Sequence, residues 1–123
     1  MNVILLCIGG ACGAMARYRL GAVLLKYSKH GFPFGTFLIN VTGALLLGIF
    51  CGLSLSGRMY LLLGDGFCGA FTTFSTFSVE SVELIKRKEI KKSIVYIVLS
   101  LCVGLSCFLA GYSVGKLFVH TIL

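Results

Sequence analysis

Apolar residues run along this chain in four long stretches, residues 2–25, 31–57, 59–79 and 93–115, and the polar residues gather in the short links between them. A hydrocarbon layer about 30 Å thick takes roughly 20 apolar residues per crossing helix, so each stretch predicts one transmembrane helix. The first holds Arg17 and Arg19, the second no charge, the third only Asp65, and the fourth none. The links are residues 26–30, the neighbourhood of Arg58, and residues 80–92, which leaves nothing from which to build a soluble domain. The expectation is a single all-α integral membrane domain over 1–123. No basic segment precedes the first stretch and further spans follow it, so it reads as a resident helix, not a cleaved signal.

Composition agrees with lipid as the solvent. Of 123 residues, 58% are hydrophobic and 12% charged, against about half and about a quarter in soluble domains. The net charge of +7 could suggest a nucleic-acid partner, but the basic residues sit at the ends of spans and form no surface interleaved with aromatics. Nucleic acid is not an expected partner. Lys26, Lys29, Lys86, Arg87, Lys88, Lys91 and Lys92 flank the first and third links, whereas Arg58 and Lys116 alone lie on the opposite side. By the positive-inside rule the seven face the cytoplasm and both termini face outward, in a multi-pass protein of the cell membrane. The six cysteines, Cys7, Cys12, Cys51, Cys68, Cys102 and Cys107, fall within spans without a C-x-x-C pair. They read as small packing residues, with no metal or disulfide chemistry expected of them.

Helices in lipid associate through small residues that let backbones approach. Gly9-x-x-x-Gly13, Ala44-x-x-x-Gly48-x-x-x-Gly52 and Gly111-x-x-x-Gly115 provide such faces. Packing inside one chain accounts for most of them. Four short helices nevertheless enclose little interior, and a pore or substrate site forms more readily between subunits, so an oligomer is expected.

Polar residues inside spans carry the functional question, because they are costly in lipid and face a partner, a cavity or a pathway. Asn40 serves either an interhelical hydrogen bond or an aqueous track as an amide donor. Arg17 either snorkels to the interface with Arg19 and Lys26 or turns inward and gives positive potential to an anion entrance. In Gly66-Phe-Cys-Gly-Ala-Phe-Thr-Thr-Phe-Ser-Thr-Phe-Ser78, Gly66, Gly69, Thr72 and Thr73 all weaken a helix. Either the helix breaks near Thr72, exposing carbonyls that can coordinate a small hard cation such as sodium, or it stays whole with its glycines at a tight crossing. Phe74 and Phe77, three apart, share a face; they pack as core residues or present ring edges that solvate an anion weakly. Tyr96 and Ser100, four apart, extend a hydroxyl track if they face the same crevice.

These segments, "GGACGAMARY", "GTFLINVTGALLLG" and "GFCGAFTTFSTFS", resemble in order the three most recognisable segments of the Fluc, or CrcB, fluoride channel family, and the resemblance covers essentially the whole chain. It implies four transmembrane helices with the third broken near its middle, an antiparallel dimer, two fluoride pores at the interface and one structural, untransported sodium ion. Matched position by position, the backbone carbonyls of Gly69 and Thr72 look like the sodium ligands. Phe74, Phe77, Asn40, Arg17, Tyr96 and Ser100 look like the fluoride path, with Ser75, Thr76 and Glu80 as further members. The resemblance implies no enzyme chemistry, only passive fluoride export that lowers cytoplasmic fluoride, with lipid as surroundings.

Two departures qualify it. The hydroxyl track would continue one turn past Ser100, where Gly104 stands instead. The seven-to-two charge bias also fits a chain of fixed orientation, and some family members pair two different chains facing opposite ways. Both an antiparallel homodimer and a heterodimer with a related chain therefore remain open. Two other classes stand as alternatives: a proton-coupled small multidrug exporter, which needs a membrane-embedded carboxylate such as Asp65 or Glu80, and a non-conducting membrane assembly subunit.

Overall fold

The structure, a computed structural model, describes residues 1–28 and 31–123. Lys29 and His30 of the first link lie outside the described residues. Helix α1 (Asn2–Leu24) closes in a 3-10 turn at Leu25–Tyr27, and α2 (Phe34–Gly52) follows. Helix α3 (58–71) starts as an α turn at Arg58–Tyr60, winds as a π-helix over Leu61–Cys68 and ends as an α turn at Gly69–Phe71. Then come α4 (Phe74–Lys86) and α5 (Ile90–Ile122).

The third apolar stretch is thus two helices, α3 and α4, separated at Thr72 and Thr73. Among the described helices, α1 with its 3-10 turn, α2 and α5 are each long and apolar enough to cross a membrane. At about 1.5 Å per residue, α3 and α4 each reach only about 20 Å, so the third crossing needs both. Helix α5, with 33 residues, outruns the predicted 93–115. Nothing in Lys116-Leu-Phe-Val-His-Thr-Ile122 breaks a helix, and Gly115 does not end it because that glycine is used for packing.

The glycine faces set the topology. A Cβ at Gly48 would land on the Phe108 carbonyl and one at Gly52 on the Tyr112 carbonyl; at Gly111 and Gly115 it would land on Leu45 and Ile49. Residue numbers rise together on both helices, so α2 and α5 run parallel with their backbones touching. Likewise Gly9 meets Leu62 and Gly13 meets Phe67, which sets α1 parallel to α3. Alternate spans that run parallel give an up-down-up-down order. The first and third links meet at one end, where a Cβ on Gly31 would lie 3.8 Å from Lys92 Nζ, itself 2.9 Å from Glu89 Oε2.

The interior is small. Leu24, Ile39 and Phe71 form its buried apolar centre, with Ala16, Leu20, Leu38 and Phe67 around it, and Phe67 stacks on Phe71 at 5.6 Å. Most long aliphatic side chains point outward, Leu101 and Leu105 being more than 60% exposed, as expected where lipid and not water surrounds the fold. The α2–α5 contact therefore depends on backbone approach more than on side-chain burial. Replacing Gly111 by valine should force the two helices apart and cost about 1–3 kcal/mol, the range for overpacking a close contact. A thermal melt of the purified protein equal to that of the parent would refute it.

Candidate functional site

The break at Thr72 and Thr73 has an identifiable local cause. The Thr72 N–H and its Oγ1–H both donate to the Cys68 carbonyl, at 3.0 and 2.9 Å, finishing α3, and Thr72 itself is extended at φ −78°, ψ 158°. Thr73, extended as well, caps α4: its Oγ1 accepts from the Thr76 N–H at 3.3 Å and donates to Thr76 Oγ1 at 3.1 Å. A threonine three residues ahead of its backbone donor is a helix N-cap arrangement, and that signal stood in the sequence unread.

Helix α2 braces the break. Asn40 Oδ1 accepts from the Thr73 N–H at 2.8 Å, and Asn40 Nδ2 donates to the Thr73 carbonyl at 3.0 Å. The amide gives the buried Thr73 N–H the partner that the broken helix no longer supplies, and adds a bond to the carbonyl from which α4 starts. From α1, Arg17 Nη1 donates to the Thr72 carbonyl at 3.3 Å. Arg17 thus turns inward, and of its two readings the snorkel falls. Of the two readings of Asn40, the interhelical bond is present, and one Nδ2 hydrogen is left without a partner among the described residues.

A second constellation lies below. Glu80 on α4 accepts from Thr36 Oγ1 at 2.8 Å and from the Tyr96 hydroxyl at 2.9 Å, so one carboxylate ties α2, α4 and α5. Tyr96 is fully buried; its ring lies 5.1 Å from Phe77 and 5.4 Å edge-on to Phe32. Ser93 Oγ donates to the Ser81 carbonyl at 2.9 Å, closing the α4–α5 hairpin. Thr36 sits four residues before Asn40 on the same face of α2, a polar neighbour in the sequence whose bond to Glu80 only the structure shows.

Three open grooves collect most of the candidates. One of about 350 Å³ is lined by Asn40, Phe74, Phe77, Ser100 and Gly104, among others. Another, about 460 Å³, brings together Arg17, Thr36, Thr73, Thr76 and Glu80. The third, about 540 Å³, holds Asn40, Asp65, Gly69, Thr72 and Phe74. Asn40 and Phe74 belong to both the first and the third, and the Phe74 ring, 79% exposed, stands between them. Tyr96 touches the first groove only through Phe77. Ser75 is exposed and lines none of the three; its Oγ lies 3.4 Å from Thr73 Oγ1.

Ser100 is chemically the odd member. Other hydroxyls on these helices have partners: Thr42 returns to the Leu38 carbonyl, Ser106 to Cys102 and Ser113 to Leu109, four residues back, while Thr36 and Ser93 reach α4. Ser100 Oγ is buried and has no hydrogen-bond partner among the described residues. One turn on, Gly104 continues the line with no hydroxyl, and a Cβ there would meet nothing within 4 Å.

Among the described residues no group of three or more His, Cys, Asp or Glu gathers as a metal site. The break itself offers oxygens of another kind. In an unbroken helix the Thr73 N–H would bond the Gly69 carbonyl; here it bonds Asn40, so Gly69 is deprived of that partner. Gly69 also borders open space. With the Thr72 carbonyl, which already accepts from Arg17 Nη1 and keeps a second lone pair, these are neutral backbone oxygens of the kind that can hold a small hard cation.

A family model described as "CrcB-like protein, Camphor Resistance (CrcB)" matches residues 4–112. The chain is 42% identical to "Fluoride-specific ion channel FluC 2" of Clostridium acetobutylicum over 95% of its own length and 100% of that protein's. It is 46% identical to "Fluoride-specific ion channel FluC 2" of Rhodococcus jostii, covering 91% and 96%. It is 43% identical to "Fluoride-specific ion channel FluC 1" of Ligilactobacillus salivarius, covering 89% and 96%.

Proposed function

This chain belongs to the CrcB-like family, and from that premise we propose that it is one subunit of a fluoride channel of the cell membrane. Fluoride moves passively down its gradient, past Asn40, Phe74, Phe77 and Ser100. The observation that carries this reading is the buried, unpartnered Ser100 hydroxyl, set in a groove with the spare amide hydrogen of Asn40 and two phenyl rings 5.9 Å apart. Stripping water from a small anion is expensive. Hydroxyl, amide and ring edges offset that cost without binding so tightly that the ion cannot leave.

The grooves are open on the subunit's face, and the polar backbone and side-chain groups in them need cover at membrane depth. A second subunit in antiparallel orientation supplies it. Two broken helices then meet across the two-fold axis, and the Gly69 and Thr72 carbonyls of both subunits would hold a sodium ion. When bound, such an ion supplies a fixed positive charge at membrane depth. Arg17, Thr76 and Glu80 line the adjoining groove, where Arg17 adds positive potential and Glu80 is held by Thr36 and Tyr96. The charge bias and Gly104 favour a related chain of opposite orientation as partner, although the chain keeps Asn40, Phe74, Phe77 and Ser100 for a pore of its own.

Liposomes loaded with fluoride and carrying this chain alone test the reading, with a fluoride electrode and a chloride control. Fluoride-selective efflux is expected if the chain pairs with itself. Silence alone, followed by efflux when a related chain is co-reconstituted, would assign the heterodimer. Silence in both, or equal chloride efflux, would overturn the channel reading.

A further inference from the structure

Asp65 is the one acidic residue inside the apolar stretch 59–79. It is exposed on α3, and no hydrogen bond or ion pair engages it among the described residues. The hydroxyl nearest in sequence, that of Tyr60, turns to Cys51 Sγ at 3.7 Å. Asp65 lies one turn before Gly69 and lines the same groove as Gly69 and Thr72.

A bare carboxylate at this depth is unfavourable in two ways. It is costly to hold in lipid or at a dry interface. Its field also opposes an anion in the adjoining groove, which shares Asn40 and Phe74 with this one. Arg17 reaches the Thr72 carbonyl from another groove, and both difficulties ease if the groove of Asp65 itself holds a cation at the break.

We propose that Asp65 is the charge partner of the cation held by the Gly69 and Thr72 carbonyls. It acts from one turn away through its field, as a positioning residue that raises cation affinity, and the cation in turn cancels its field on the anion path. Neutral carbonyls alone would hold a monovalent ion weakly; a unit charge lining the same groove adds attraction, the more so where a covering subunit lowers the dielectric. This rests on the reading of the break as a sodium site, and the experiment separates the two.

Purified assemblies of the full chain are melted across a series of NaCl concentrations, with N-methylglucamine chloride keeping ionic strength constant. The parent protein should gain thermal stability with sodium. Asp65→Asn should need about tenfold more sodium for the same gain, reaching the parent's melting temperature at saturation, while Asp65→Glu should stay close to the parent. An unchanged half-saturating concentration in Asp65→Asn would overturn the role of Asp65 and leave the carbonyl site standing. An Asp65→Asn deficit that saturating sodium does not restore would also overturn it, because a packing defect behaves that way. A parent protein that melts identically in sodium and N-methylglucamine would remove the sodium site and this inference with it.

Discussion

Replacing Phe74 by isoleucine is expected to cut fluoride efflux about tenfold or more while leaving the subunit as stable as before. The Phe74 ring is 79% exposed and its one ring contact is Phe77, at 5.9 Å, so it contributes little to the packing of its own chain. Isoleucine keeps apolar bulk but has no quadrupole and no positive ring edge. Losing about 1–1.5 kcal/mol of anion stabilisation at the point of highest energy slows passage by roughly a factor of ten. Phe77→Ile should slow efflux as well, but it also removes the 5.1 Å contact with Tyr96 and should lower stability. Phe74 is therefore the cleaner variant. Efflux, thermal melting and cross-linked subunit size are measured together on the reconstituted assembly. Undiminished efflux from an intact assembly would take Phe74 out of the path, whereas loss of assembly would make it an interface residue.

The break was legible because the residues that cause it lie side by side. Gly69, Thr72 and Thr73 each disfavour a helix, and the helix stops there. The small-residue faces were legible for the same reason: spacing of four puts glycines on one side, and each of Gly9, Gly13, Gly48, Gly52, Gly111 and Gly115 meets a neighbouring backbone. The π-winding of Leu61–Cys68 was not legible. No residue in that stretch demands it, and its register answers to α1, where Gly9 and Gly13 press against it.

The site divides along similar lines. That Asn40 matters could be read from an amide in an apolar run, but not that it grips Thr73, 33 residues away, by both ends. The Thr36–Glu80–Tyr96 cluster joins residues 44 and 16 positions apart, and no periodicity reports such pairings. Ser100 could be named from its spacing to Tyr96. Its orphaned hydroxyl is a fact about what it does not bond, visible only once the structure shows that it does not turn to the carbonyl four residues back. Arg17 shows the limit from the other side. Spacing to Arg19 and Lys26 argued for the interface, yet the break creates a free carbonyl at Thr72 that the guanidinium reaches.

Asn40→Ala should have the most damaging effect of any single change at the site, because it acts on the fold and the path together. Side-chain hydrogen bonds between membrane helices average near 0.6 kcal/mol, which for two bonds gives about 1 kcal/mol. The larger figure applies here. Thr73 is buried and its N–H has no helical alternative, so removing the amide orphans that donor at about 1–3 kcal/mol; its carbonyl, as the N-cap carbonyl, still serves the first turn of α4. Asn40→Ala should thus lose about 1–3 kcal/mol of stability and nearly all fluoride efflux. Asn40→Asp keeps an acceptor for the Thr73 N–H but loses the donor to its carbonyl, and adds a negative charge beside an anion path. It should recover part of the stability and none of the flux. Parent-like melting in both variants would show that the amide does not hold the break. Full efflux from a destabilised Asn40→Asp would confine Asn40 to bracing and leave Ser100 and the phenyl rings to carry the ion.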